Sequence, residues 1–381
     1  MHIDQLTLKN FRNFESVDIP LNSKMNIVIG NNGSGKSSLL MGALTAASAF
    51  FLGIDYASPR SIKTDDVRHV AHEIKKVYQQ VAVYPVEVSC EGVVNGVTCK
   101  WSRSLSGPKS NTTYGGASDL RNIASSLQKS ASNEYSEDVL PLIAYYGTGR
   151  LWAQKQAKKK GKQKLRSRFE GYRDCIAEQA TDKQLLEWFS ETTLLVSQEG
   201  PIPQMTAVQQ ALERCFADLI DHDETQRVKV EYRQRYRTIV VEYTNRSGEH
   251  ELHPMYEMSD GYRSVLSMVA DIAHRMVVLN PQLGDAILET PGIIIIDEVE
   301  LHLHPWWRKQ ILKDLTSVFP NIQFIVSTYS PEVITSYKEA NLILLKHEGS
   351  ATQIESAYGK DVNTVFRSIL LVRDRPTEIE E

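Results

Sequence analysis

Gly30-Asn31-Asn32-Gly33-Ser34-Gly35-Lys36-Ser37 fits G-x-x-x-x-G-K-[ST] and follows the apolar run Met25-Asn26-Ile27-Val28-Ile29. The order predicts a strand, a glycine-rich turn and a helix from Ser37 to about Ala49, which together make a phosphate cradle. Glycines allow the backbone amides of Asn31, Asn32, Gly33, Ser34 and Gly35 to turn toward phosphate oxygens, and the positive helix end, with Ser38 just inside it, adds to them. Lys36 is expected to reach the β- and γ-phosphates, and the Ser37 hydroxyl to ligate Mg²⁺. The stretch therefore reads as an ATP or GTP site in an α/β fold.

A second set of residues completes that reading. Gly292-Ile293-Ile294-Ile295-Ile296-Asp297-Glu298 puts two acids after four isoleucines, the composition of a central parallel strand covered on both faces. Ligands of α/β sheets bind at the carboxyl ends of strands, so Asp297 is expected on Mg²⁺ and Glu298 on the water that attacks the γ-phosphate. Ser259-Asp260-Gly261 precedes a helix over about 262–279 and offers another anion-ready helix end. Ile322–Val326 reads as a further buried strand, and Ser327-Thr328-Tyr329-Ser330-Pro331 at its end should face the same phosphate. His302 and His304 form an H-x-H pair that invites a metal reading, but a third ligand is not evident and the adjoining nucleotide site accounts for the segment better.

The chain as a whole has an ordinary globular composition, with 381 residues, 41% hydrophobic and 24% charged. That length is long for one core and fits two lobes, or a domain with a large insertion. At a net charge of −4, contact with nucleic acid would need a local basic patch. Cys90, Cys99, Cys175 and Cys215 form no C-x-x-C pair, which fits a reduced cytoplasmic setting. No leader pattern opens the sequence and no run reaches the 18 or so apolar residues of a membrane span, so no membrane role is expected.

Residues 2–9 and 14–21 alternate like strands, and Asn10-Phe11-Arg12-Asn13-Phe14 lies between them. That link reads either as a turn with two core aromatics or as an adenine or phosphate contact made by Arg12. The spacing from Lys63 to Gln80 predicts a helix. Val81–Glu91 and Val97–Arg103 read as strands joined at Asn95-Gly96, a type I′ turn pair. Helices are expected at 117–130, 182–197, 204–220, 306–318 and 361–370, a buried strand at 140–146, and a hairpin from 227–232 and 238–243. Lys155, Lys158, Lys159, Lys160, Lys162, Lys164, Arg166 and Arg168 form a basic run without acids. It reads as a solvated loop, or as a polyphosphate contact to nucleic acid or to an acidic partner protein. Residues 101–225 look like an α-rich insertion between the halves of the core, 1–100 and 226–381.

Taken in order, Leu8–Phe14, the Walker A stretch 30–37, the signature-like 259–261, the Walker B stretch 293–298, the D-loop-like Glu300–Pro305 and the switch-like 327–331 resemble the ABC-type ATPases of the RecF, SMC/Rad50 and OLD group. The resemblance implies an ABC-ATPase-type nucleotide-binding core, a mixed sheet with flanking helices, carrying the insertion. It also implies a homodimer or higher oligomer in which Ser259 and Gly261 of one copy close over ATP held by another. Tyr329 stands where the group usually has a switch histidine, and a phenol cannot become cationic near neutral pH; slow hydrolysis is expected. Asp260 adds a negative charge that the usual signature lacks.

Within the group, Ala144–Trp152, Ser167–Arg173 and Ser259–Ser264 are most similar to the PtuA-type ATPases of Septu antiphage defence, including retron-associated ones. That likeness implies a partner HNH nuclease and, where the system is retron-linked, a reverse transcriptase with its RNA–DNA hybrid. The alternative is a RecF-like DNA-binding ATPase of DNA repair. No heptad run exists to build an SMC arm, and an OLD-type nuclease would need a further acidic metal-binding domain after the core.

Overall fold

The computed structural model describes residues 1–74, 77–133, 135–149, 167–177, 182–220, 228–244, 247–346 and 349–369. Three strands, β1 (His2–Phe11), β2 (Phe14–Pro20) and β3 (Met25–Ile29), lead to helix α1 (Lys36–Ala47), which tightens into a 3-10 segment at Ser48–Gly53. Two hairpins follow, β4 (His69–Ile74) with β5 (Val77–Ala82), and β6 (Val86–Val94) with β7 (Val97–Leu105). Then come α2 (Ser118–Ala131), β8 (Leu142–Tyr146), α3 (Asp182–Glu199), α4 (Pro203–Ile220) and the strands β9 (Lys229–Arg233), β10 (Thr238–Thr244) and β11 (His250–Pro254). The rest is α5 (Asp260–Leu279), β12 (Gly292–Ile296), α6 (Pro305–Arg308), α7 (Ile311–Val318), β13 (Ile322–Thr328), α8 (Pro331–Ile334), β14 (Asn341–Leu345), β15 (Ala351–Ile354) and α9 (Val362–Ser368).

Two sheets sandwich α1. On one side is a six-stranded sheet ordered β15-β14-β3-β13-β12-β8, parallel throughout except for β15 at its edge. On the other is the antiparallel sheet β2-β1-β6-β7. α1 packs on β1, β6 and β7 and also on β12 and β13. Every residue of β3, β12 and β13 is buried, which is why these strands are dominated by apolar residues, with Asn26 and Gln323 as buried exceptions and Ser327 and Thr328 at the end of β13. Ile296 pairs with Val326 and Thr328 with Ile29, so β3 and β13 end together and β12 ends two residues short of them at the same edge of the sheet. The phosphate-loop stretch and Asp297 leave the sheet there, beside Ser327, the last residue but one of β13. The apolar span Lys36–Gly53 is long enough by composition to cross a membrane, but 78% of it is buried inside this fold.

Four sequence expectations are corrected. Residues 69–82 form a hairpin in place of a helix. The apolar positions Val70, Ile74, Val77 and Val81 have helical spacing, yet the hairpin register pairs Val70 with Val81 and Ile74 with Val77, so both folds group the same residues. The strand expected at 81–91 is broken before Val86. The helix expected at 306–318 is two: i→i+3 bonds from Lys309 to Trp306 and Gln310 to Trp307 tighten the chain between α6 and α7. β8 falls in the segment expected as an insertion, yet it is hydrogen-bonded into the six-stranded sheet beside β12. In addition, β11 joins β10 as a third strand that polar His250-Glu251-Leu252-His253 did not announce.

The basic run lies outside the described residues except for Arg168, which is half-buried and bonded to the fold. Its Nε donates to the Leu279 carbonyl at 2.7 Å, and its Nη2 to the Asp138 carbonyl at 2.7 Å. Buried Asn280 beside it accepts the Leu140 N–H at 2.8 Å and donates to the Leu140 carbonyl at 2.9 Å, tying the end of α5 to the approach to β8. Asn280→Ala leaves these groups unpaired in the interior and is expected to lower stability by about 2–3 kcal/mol. The check is a lower urea midpoint with an unchanged slope.

Candidate nucleotide-binding site

Burial of α1 on two sides fixes where its first turn points. Gly35 is its N-cap, with φ of 100°, a left-handed geometry that only glycine takes without strain. A side chain there would also collide with the Asn13 amide, which donates from Nδ2 to the Ser34 carbonyl at 3.2 Å. The turn between β1 and β2 thus supports the glycine-rich loop from outside. Sequence reasoning missed Asn13 as a site residue, although it lay within the singled-out Asn10–Phe14 link.

A cleft of about 750 Å³ opens over this loop and is lined by Arg12, Asn13, Asn32, Gly33, Gly35, Lys36, Ser37, Ser38, Asp65 and Glu298. That volume suits a nucleotide-sized ligand. Lys36 Nζ donates to the carbonyls of Gly30 at 2.8 Å and Asn31 at 3.2 Å. Burial lowers the Lys36 pKa, while the charges of Glu298, Asp297 and Glu300 act to raise it. Those three carboxylates are therefore gathered around one ammonium. Ser34 is 1% exposed and its Oγ is buried without a hydrogen-bond partner, a polar vacancy inside the loop that an anionic ligand's oxygens could fill.

The acids are held by the neighbouring strand. Ser327 Oγ donates to Asp297 Oδ1 at 2.5 Å and accepts the Glu298 N–H at 2.8 Å. Glu298 has φ of 48°, which turns its side chain into the cleft at some backbone strain. Arg12 is fixed by a buried carboxylate that sequence reasoning did not find: Asp66, fully buried, accepts Arg12 Nε at 2.9 Å and Arg60 Nη2 at 2.8 Å on one oxygen, and the Lys63 N–H at 2.9 Å on the other.

The cleft brings together Arg12, Asn32, Gly33, Gly35, Lys36, Ser37, Ser38 and Glu298, with Asn31 and Ser34 in the same loop. It does not include Ser259, Gly261 or Tyr329. Ser259 caps α5 by position, without a side-chain bond. Gly261 is buried against the His302 carbonyl. Tyr329 is 47% exposed. The Asp260 carboxylate is paired with Arg263 at 3.3 Å on the surface. His304 Nδ1 accepts the Trp306 N–H as the cap of α6.

With this geometry in place, the comparisons are specific. The AAA domain profile matches residues 5–220. The chain belongs to the AAA domain family. A protein of Escherichia coli named "Retron Ec83 probable ATPase" is 25% identical over 99% of this chain and 78% of its own length. Septu protein PtuA of Bacillus mycoides (strain KBAB4) is 30% identical over 37% of this chain and 18% of its own. RecF of Colwellia psychrerythraea (strain 34H / ATCC BAA-681) is 48% identical, but over only 19% of this chain and 16% of its own length. Among solved structures, an SMC head bound to the C-winged helix domain of ScpA superimposes with a TM-score of 0.51, at 15% identity, over 93% of this chain and 97% of that one. The chain is an ATPase of that family with the fold of an SMC head, similar to retron and Septu proteins.

Asp66 gives this ATPase an acid-labile support for Arg12. Burial raises its pKa, but the Arg60 hydrogen bond and charge, the Lys63 N–H and Arg12 outweigh that and hold the carboxyl below its usual range. An unfolded aspartate titrates near 3.9. The stabilisation is therefore complete above that pH and is lost as pH falls through the lower folded value. Asp66→Asn is expected to cost about 3 kcal/mol at pH 7 and to flatten the acid limb of stability against pH, measured by denaturant titration from pH 7 to 2.

Proposed function

We propose that the chain is the ATP-hydrolysing subunit of a cytoplasmic antiphage defence complex, in which two copies close head to tail over ATP and control a partner HNH nuclease. Where the system is retron-linked, the complex also holds a reverse transcriptase with its RNA–DNA hybrid. The observation that carries this reading is one cleft lined by Lys36, Ser37, Ser38 and Glu298, in a chain that aligns with a retron ATPase over 99% of its length.

In this reading Lys36 and the loop amides of residues 31–38 hold the β- and γ-phosphates. Ser37 and Asp297 are the residues that would hold Mg²⁺, which when bound neutralises charge on the phosphate oxygens. Glu298 orients and polarises the attacking water. Arg12, braced by Asp66, contacts the nucleotide from the β1–β2 turn. The positions of Ser259 and Gly261 outside the cleft support a composite site, since both then act on the nucleotide of the other copy, whereas Tyr329, at the end of β13, faces the γ-phosphate held by its own chain. Arg263 offsets the charge of Asp260 there. With a phenol in place of an imidazole at Tyr329, turnover is slow and ATP acts more as a clamp than as fuel.

The test is the mass in solution and phosphate release of wild type, Lys36→Ala and Glu298→Gln with ATP and Mg²⁺. Wild type is expected to dimerise or assemble further on ATP, with slow release. Glu298→Gln should lock the closed assembly and cut release by 10²-fold or more, and Lys36→Ala should abolish both responses. Brisk turnover without any change in mass would sink the clamp reading and favour a cycling repair ATPase.

A further inference from the structure

We infer that Glu300 is a positioning residue for ATP hydrolysis, whose carboxylate pins the turn at Tyr329 to the turn that carries Glu298. The inference rests on the ATPase reading, and it concerns a residue that lines no part of the cleft.

The chain leaves β12 and β13 in adjacent turns, and successive residues of one are bonded to the other. The Glu298 N–H donates to Ser327 Oγ at 2.8 Å, the Val299 N–H to the Ser327 carbonyl at 3.1 Å, and the Tyr329 N–H to Glu300 Oε1 at 2.9 Å. The first two bonds fix the backbone around Glu298. The third closes the set through the Glu300 carboxylate, one residue after Val299, and the Tyr329 amide, two residues after Ser327. Glu298 needs such bracing, because its φ of 48° is a strained conformation for a residue with a side chain and persists only when its surroundings hold it.

Glu300 is an expensive residue to use for this. It is 1% exposed, and its Oε2 is buried without a hydrogen-bond partner among the described residues. A buried carboxylate oxygen left unpaired is destabilising, and an apolar side chain of similar volume would pack there at lower cost. Two roles explain its presence. One is the acceptor bond to Tyr329. The other is its negative charge, which together with Asp297 and Glu298 acts on Lys36. The geometry favours the acceptor, since two carboxylates already supply charge at Lys36 whereas no other side chain is bonded to the Tyr329 amide among the described residues.

Two conservative variants separate the roles. Glu300→Asp keeps the charge and shortens the reach by one methylene, and Glu300→Gln removes the charge and keeps an acceptor oxygen. Phosphate release, affinity for a fluorescent ATP analogue and hydrogen exchange of the peptide containing the Tyr329 amide would be measured on full-length protein, with Lys36→Ala as the zero. Glu300→Asp is expected to slow release at least tenfold, to keep nucleotide affinity within twofold and to deprotect the Tyr329 amide; Glu300→Gln should hold release within threefold and keep the protection. The opposite order, with the glutamine variant slow and the aspartate variant unimpaired, would overturn the inference in favour of the charge. Equal loss of affinity and rate in Glu300→Asp would also overturn it, as a structural defect. If wild type releases no more phosphate than Lys36→Ala, the hydrolytic role fails with the ATPase reading, and the exchange data alone then decide whether the pin exists.

Discussion

Helix α1 has ten of its twelve residues buried, because sheets cover it on both sides. A helix so enclosed cannot tilt or slide without opening two interfaces in a close-packed interior. The glycine-rich loop at its amino end inherits that rigidity, and from the other side it is met by Asn13. Preorganisation of this kind is what a phosphate cradle requires, since amides aimed in advance need no rearrangement when charge arrives. The four-stranded sheet therefore does more than shield the core. Through β1 and β2 it delivers Arg12 and Asn13 to the cleft wall.

The second fixed boundary is the edge of the sheet at which β3, β13 and β12 end. Parallel strands in register bring the loop after β3, Ser327 and Asp297 to one edge without any contact between distant loops. Three carboxylates then crowd one lysine. Such a cluster is tolerable because Ser327 donates to Asp297 and the Tyr329 amide donates to Glu300, so that much of the negative charge is answered by donors. The polar residues at these strand ends thus stabilise the acids before any ligand is bound.

What could be read in the sequence follows from how local the determinant is. The strand, loop and helix of residues 25–47, the isoleucine strand with Asp297 and Glu298, and the Asn95-Gly96 turn are specified within a few residues, and the backbone bears this out with φ of 50° and 76° at that turn. The six-stranded order could not be read, because β8 is placed by pairing with β12, some 150 residues away. Asp66 was hidden for the same reason. Its partners Arg12 and Arg60 come from separate segments, and nothing in Thr64-Asp65-Asp66 marks one of the two acids as buried. The hairpin at 69–82 is a different failure. Cross-strand pairs about a tip and successive turns of a helix can select one and the same set of apolar positions, so periodicity alone does not separate them.

The residues outside the cleft are connected to it by packing. Gly261 at the start of α5 sits so close to the His302 carbonyl that any side chain would collide with it. One residue on, the Tyr262 ring meets Trp307 edge to face, with centroids 3.9 Å apart. His302 and Trp307 belong to the segment that begins two residues after Glu298, and the Leu301 N–H donates to the Glu298 carbonyl at 2.9 Å. The signature-like helix end and the acidic turn of one chain are therefore parts of a single packed unit. Packed interiors shift between discrete arrangements more readily than they deform smoothly, so a displacement of the amino end of α5 is passed through His302 to the turn that carries Glu298.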